Sequence, residues 1–143
     1  MDDDLEEIRK ASEQLYIALN NMLNGNSRSL AEIWSHGILV TAMHPVGGRE
    51  IGWERVREKW DQLSGLTSEG QIKLEDQLIR TEGDMAYEVG TERGRFKLAG
   101  NWVSMENRVT NIYRREGSKW KVVHHHTDLS PEMMEVLNQL KKE

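Results

Sequence analysis

Apolar residues near the start of the chain recur at helical spacing. The pattern predicts a helix that begins at Asp2, where acidic residues suit the positive end of the helix dipole, and ends at Asn24 and Gly25. Two further helices are indicated, a short one broken by His36 and Gly37 and one over residues 52–63. The positions that carry these three patterns are Leu5, Ile8, Leu15, Leu19, Met22, Leu23; Leu30, Ile33, Trp34; and Trp53, Val56, Trp60, Leu63.

The pattern changes to strands in the second half of the chain. Residues 38–43 are a first β-branched and apolar run, followed by a turn over residues 45–48 whose glycine pair suits positive φ angles. From residue 71 onward the period is two, which predicts strands near residues 72–76, 85–96, 102–115 and 119–127. Residues 116–118 form the last hairpin turn, and Pro131 opens a final helix.

Helices gathered at the start and consecutive antiparallel strands at the end predict an α+β fold. We expect one domain over residues 1–143, in which a strongly curved sheet wraps over the helices and leaves a cone with an open mouth. Cones of this kind often hold ligands.

Composition narrows the classes of partner. The net charge is -5 with basic residues scattered among acidic ones, so a nucleic-acid surface is not expected. There is no cysteine, which excludes disulfides and thiolate ligands. No apolar run approaches the ~20 residues of a membrane span, and an acidic start is untypical of a signal peptide, so we expect a cytoplasmic protein that does not bind membranes.

The order of elements also resembles a known family. The elements run in the order helix, helix, strand, Pro-Gly turn, Gly-Trp helix and sheet, and the sheet closes on Gly-Ser-Lys-Trp-Lys-Val-Val-His-His-His at residues 117–126. This order is similar to that of the nuclear transport factor 2-like superfamily, in its SnoaL-like and ketosteroid-isomerase-like branch. The resemblance covers nearly the whole chain and implies a cone-shaped α+β fold with a mixed, mostly antiparallel sheet enclosing a pocket. It leaves the activity open, because this scaffold hosts isomerases, cyclases, dehydratases, epoxide hydrolases and association domains.

The resemblance implies a proton-transfer residue. In ketosteroid isomerases the general base is an aspartate directly before Pro-Val-Gly, and here His44 precedes Pro45, Val46 and Gly47. An imidazole, whose ordinary pKa is near 6.5, is a competent proton acceptor at neutral pH.

The oxyanion-binding residues of the isomerases are replaced. By similarity their tyrosine falls near Ala18 and their protonated aspartate near Thr110, so neither donor is retained. Arg108, on the same strand face as Thr110, is expected to face the pocket and to bind a carbonyl oxygen or an anionic group.

The three consecutive histidines are assigned by strand alternation. Only His124 and His126 share a face, and Asp128 lies about 13 Å from His124 along an extended strand, too far for one metal ion. We therefore expect neither a metal nor another cofactor. By similarity to the isomerases and to kinase association domains, the pocket face carries Val123, His125 and Thr127, although a single bulge would reverse this register.

Aromatic residues complete the predicted site. Trp60 matches an aromatic pocket position of the isomerases and Trp53 shares its side of the helix, so both are candidate ligand contacts. Tyr16 is expected in the core with its hydroxyl satisfied. Trp120 is placed with His124 and His126 on the outer sheet face, which predicts a homodimer through that face.

Three functions remain open at this point. The first is a cofactor-independent isomerase, cyclase or dehydratase that uses His44, Arg108 and His125; the second is a non-catalytic binder of a small molecule; the third is a dimerisation or association domain. The enzyme needs the three side chains to converge on one cavity, whereas the association domain needs only an apolar outer face.

Overall fold

The computed structural model describes residues 2–142, which form four helices and six strands. No helix in this part of the chain has both the length and the apolar content that crossing a membrane requires. The elements in chain order are α1 (Asp2–Met22), α2 (Leu30–Ile33), β1 (Thr41–His44), β2 (Gly47–Ile51), α3 (Trp53–Ser64), β3 (Thr67–Glu82), β4 (Met85–Leu98), β5 (Asn101–Glu116), β6 (Lys119–Thr127) and α4 (Pro131–Lys141).

The six strands form one curled, unclosed sheet in the order β2-β1-β6-β5-β4-β3. The pair β1 and β6 is parallel and the other neighbours are antiparallel. Two register shifts in β3 fall where Glu69 and Asp76 adopt positive φ angles, and such bulges bend and twist a strand. The α+β class and the curved, mostly antiparallel sheet are confirmed.

The concave side of the sheet holds the core. On β5 the buried positions alternate from Val103 to Tyr113, and α1 and α3 supply the facing apolar side chains. Gly94 on β4 faces the same side, and a Cβ atom there would overlap the backbone of Gln71. Glycine is thus required where β3 crosses closest to β4.

The sheet edge differs from the sequence prediction. Ile38 and Leu39, predicted to begin a strand, are exposed in a turn, and the strand starts at Thr41. The glycine turn is confirmed, with φ angles of 93° at Gly47 and 82° at Gly48, but these residues also begin β2, which the sequence did not predict. A short, largely polar edge strand has no alternation to detect.

Candidate functional site

A small, partly open cavity of about 40 Å³ lies inside the cone. Its wall is mostly apolar and includes Leu19, Trp60, Leu63, Phe96, Met105 and Met133. Three titratable side chains also line it: His44, Glu92 and His125. All three are at least 97% buried.

His44 ends β1 and points inward. Its ring meets Trp60 edge to face with the ring centroids 4.6 Å apart. The Nε2 atom lies 3.0 Å from the Oε1 atom of Glu50, yet the geometry is not that of a hydrogen bond. Within the described chain, both ring nitrogens of His44 and the Nε1 atom of Trp60 are buried without a hydrogen-bond partner. Such groups are rare in folded proteins and often mark functional sites.

His125 lies on β6 and is 6.3 Å from His44 between ring centroids. Its Nδ1 atom is 2.6 Å from Oδ1 of Asn111, while the Asn111 amide nitrogen donates to Glu88 (3.0 Å) and to the Tyr16 oxygen (3.2 Å). This orientation makes Oδ1 an acceptor, so Nδ1 of His125 carries the hydrogen and Nε2 is the basic nitrogen. Burial first, and then the neighbouring histidine charges, lower the pKa of His125 to about 3.

Two glutamates point inward from β4 with different surroundings. Glu88 accepts hydrogen bonds from Tyr113 (2.6 Å), Gln77 (2.9 Å) and Asn111 (3.0 Å). Glu92 accepts one, from the Tyr16 hydroxyl at 2.7 Å. Burial, reinforced by the charge of Glu88 and opposed by the Tyr16 hydrogen bond, raises the pKa of Glu92 to about 7. Tyr16 is a core residue with a satisfied hydroxyl, as predicted.

The predicted position of Arg108 is wrong. On β5 the inward positions are Val109 and Asn111, so Arg108 and Thr110 point to the outer face. The Arg108 side chain is 84% exposed, and its Nε atom donates to Oδ2 of Asp128 at 2.9 Å. Neither residue reaches the cavity, and the charge of Arg108 is already matched by Asp128.

The register of β6 contains a bulge of the kind that reverses which face each residue occupies. Ile112 pairs with His124 but Tyr113 pairs with Val122, so Val123 is the extra residue. Beyond it His125 and Thr127 face inward, as expected, and His124 and His126 face outward.

On the part of β6 before the bulge, residues point to the opposite face from the one predicted. Trp120 points inward, where its Nε1 atom donates to Glu7 of α1 at 2.8 Å. Its expected place on the outer face is wrong, because the bulge at Val123 shifts the alternation by one residue.

The remaining candidates divide between core and groove. Trp53 stacks on His36 and contacts Trp34, with centroid separations of 4.6 and 6.3 Å, so it belongs to the core next to the cavity and does not line it. Val123 packs half-buried against the core, and the buried Oγ1 atom of Thr127 has no hydrogen-bond partner in the described chain.

A second, open groove of about 940 Å³ runs outside the cone beside the start of α4. His44 lines both this groove and the inner cavity, whereas Met133 of α4 lines only the cavity. The groove is thus a route from solvent to the wall that His44 forms.

Glu92 and Asn111 were missed as site residues. A signal was present on β5, where Asn111 shares a face with apolar residues such as Val109. On β4 charged residues occupy both faces, for example Glu92 inside and Arg93 outside, so alternation alone did not identify the buried one.

Comparisons with known proteins address the fold. A candidate dehydratase of the NTF2-like family from Streptomyces avermitilis is 25% identical, with a TM-score of 0.79 over 90% of this chain and 97% of that chain. A candidate aromatic ring hydroxylase from Novosphingobium aromaticivorans is 16% identical, with a TM-score of 0.77 over 90% of each chain. The association domain of CaMKII from C. elegans is 14% identical, with a TM-score of 0.67 over 89% of this chain and 96% of that chain.

The sequence comparison is more specific. No curated protein matches the chain at a significant level. A family model described as a SnoaL-like domain matches residues 8–131, which is most of the chain. The chain therefore belongs to the SnoaL-like domain family, within the NTF2-like superfamily.

Proposed function

We propose that the cone binds a small, uncharged carbonyl compound and that His44 moves a proton on it, as a cofactor-independent isomerase, cyclase or dehydratase does. The observation that carries this proposal is the convergence of His44, Glu92 and His125 on one small, mostly apolar cavity. Buried titratable groups around a cavity are typical of proton-transfer sites. The candidate dehydratase from Streptomyces avermitilis, with which the chain shares its fold, supports the same class of chemistry.

The lining of the cavity favours an uncharged ligand. The described residues that line it include no lysine or arginine, and the carboxyl group in its wall, Glu92, would repel an anion. The unpartnered nitrogens of His44 and Trp60 are hydrogen-bonding groups that a carbonyl oxygen and its neighbouring C–H group would engage. An anionic substrate, expected when Arg108 was assigned to the pocket, is no longer favoured.

The cavity must open to admit such a ligand. Its volume of about 40 Å³ is far below the several hundred Å³ typical of ligand sites. Met133 is the fully buried residue of α4 and forms part of the wall, and methionine side chains adapt readily to a new shape. Displacing Met133 would connect the cavity to the mouth of the cone.

A matched pair of ligands tests the charge preference. Phenylacetone and phenylacetate have the same skeleton, but a methyl group in the ketone replaces a charged oxygen in the carboxylate. Isothermal titration calorimetry at neutral pH should detect the ketone and give at least about tenfold weaker binding for the carboxylate. Equal or tighter binding of phenylacetate would contradict the proposal.

A second copy of the chain is the proposed partner at the outer sheet face. Two neighbouring cross-strand rows there contain no acidic residue: Leu78, Val89, Thr110, His126; and Arg80, Tyr87, Ile112, His124, Thr41. Leu78 and Tyr87 are each 44% exposed. A partly apolar sheet face without acidic residues suits a self-complementary contact, and the similarity to a kinase association domain supports it. Trp120 points inward and cannot take part, so the residues of these two rows would form the contact.

A further inference from the structure

Glu92 and Glu88 are two buried carboxyl groups with unequal support. They stand four residues apart on β4, which places both on the concave face. Glu88 accepts three hydrogen bonds, through both of its oxygens. Within the described chain Glu92 accepts only the Tyr16 hydrogen bond, through Oε2, and its Oε1 atom has no donor. Glu88 is therefore fixed as a hydrogen-bond acceptor, whereas Glu92 keeps one oxygen for another role.

That oxygen belongs to a residue of the cavity wall. Glu92 lines the same cavity as His44 and His125, and Glu88 does not. The raised pKa of Glu92, caused mainly by burial, populates both its protonated and ionised forms near neutral pH. A group with a pKa close to the working pH is the most effective general acid or base.

Among the described residues that line the cavity there is no lysine or arginine to hold negative charge, and the unpartnered Nε1–H of Trp60 donates a hydrogen bond but does not give up its proton. Abstraction of a proton next to a carbonyl leaves an electron pair on the carbonyl oxygen, which catalysts stabilise with a donor or a cation. Arg108 is outside the cone, and His125 stays neutral with its Nδ1 hydrogen committed to Asn111. A protonated carboxyl group in the wall removes the need for a cation, because it gives the carbonyl oxygen a proton.

We propose that Glu92 is a second catalytic residue of the cone, acting as the general acid opposite His44, and that Tyr16 is the residue that positions it. This rests on the proposed function. The C–H bond beside the carbonyl breaks and its proton binds a nitrogen of His44. The electron pair moves to the carbonyl oxygen, which takes the proton from Glu92, so the O–H bond of the carboxyl breaks as that of the enol forms. The products are a neutral enol, ionised Glu92 and protonated His44, and return of the proton to carbon restores both groups.

Infrared spectroscopy tests the protonation of Glu92 without any ligand. The wild-type protein should show the carbonyl band of a protonated, buried carboxylic acid near pH 5, lost with a midpoint near about pH 7. Glu92→Gln should lack this band and the exposed control Glu106→Gln should keep it. Tyr16→Phe should move the midpoint upward, because the lost hydrogen bond lowers the pKa of Glu92. A wild-type spectrum without the band near pH 5 overturns the inference and leaves the role of His44 intact.

Exchange of phenylacetone C–H groups for deuterium in D₂O tests the catalytic step. Glu92→Gln should slow exchange by about 100-fold or more with little change in ketone binding, and the exposed control Glu82→Gln should exchange at the wild-type rate. If the wild-type protein exchanges, His44→Gln does not and Glu92→Gln keeps the full rate, Glu92 is not the acid while the proposed function stands. Absence of exchange with the wild-type protein overturns both.

Discussion

The rings of His44 and Trp60 meet edge to face, with their centroids 4.6 Å apart, in the wall of one cavity. A ligand that reaches His44 must therefore contact Trp60 or change the surroundings of its indole ring. Phenylacetone should quench the fluorescence of the wild-type protein, and Trp60→Phe should remove most of this change. Trp102→Phe is the matched control, since Trp102 is 45% exposed on the outer face of β5 and does not line the cavity. Quenching that persists in Trp60→Phe and disappears in Trp102→Phe would place the ligand outside the cone.

Substitution of Met133 should open the cavity. Met133→Ala removes a buried side chain that lines the wall, so it should accelerate ketone binding in stopped-flow fluorescence while costing about 2 kcal/mol of unfolding free energy. Met134→Ala, on the same helix and only half-buried, should change neither quantity by as much. Unaltered association in Met133→Ala would show that ligands enter by another route.

The contributions of Glu92 and His125 to the free energy of unfolding should change with pH in opposite directions. Glu92 has a raised pKa, so its contribution is full below its ordinary value of 4.5 and is lost as the pH rises through about 7. His125 has a lowered pKa, so its contribution is present above 6.5 and is lost as the pH falls toward about 3.

Glu92→Gln separates the two effects. The unfolding free energy of Glu92→Gln, minus that of the wild-type protein, should rise by about 3 kcal/mol between about pH 4.5 and pH 7, because only the wild-type protein loses the Glu92 contribution. Urea unfolding across this range measures the difference, with Glu106→Gln as an exposed control. Parallel curves for Glu92→Gln and wild type would mean that Glu92 titrates normally.

The outer sheet face should form a homodimer. Light scattering at micromolar concentration should give twice the 16.6 kDa chain mass. Ile112→Arg places a charge in the middle of the two rows and should produce monomers, whereas Ile38→Arg, at a loop position that is 84% exposed, should not. A monomeric wild-type protein would eliminate this contact.

The dimer should weaken in mild acid. Burial, and then the charge of His126, lower the pKa of His124, so the neutral ring is the favoured form on this face. Burial of the ring between two copies would lower this pKa further, so protonation of His124 as the pH falls below its ordinary value of 6.5 opposes association. The dimerisation constant should therefore decrease between about pH 7.5 and about pH 5.5. A constant that is flat over this range contradicts a buried, neutral His124.

Much of the fold followed from periodicity, because long amphipathic helices and regular strands have strong patterns. The site was harder, as Trp120 shows: the bulge at Val123 inverts its face, and a bulge leaves no mark in the sequence. Arg108 was placed by similarity to a family, although the apolar alternation of its own strand, with Val109 inside, points it outward.

Buried polar groups were the least predictable part. Glu92 and Tyr16 are 76 positions apart and their hydrogen bond exists only after the sheet has curled over α1. Local patterns treat a glutamate as exposed by default, because an unpaired buried charge is costly. Only the tertiary contact supplies the partner that makes its burial tolerable.

Deuterium exchange into phenylacetone, followed by NMR at neutral pH, tests proton transfer by His44 most directly. His44 is fully buried against Trp60, so His44→Gln, which retains more volume and a polar end, is preferable to alanine as the variant. We expect the wild-type protein to accelerate exchange beside the carbonyl and His44→Gln to reduce the rate by about 100-fold or more, with both proteins folded. A wild-type rate no faster than that of His44→Gln would contradict the assignment of the cone as a proton-transfer site.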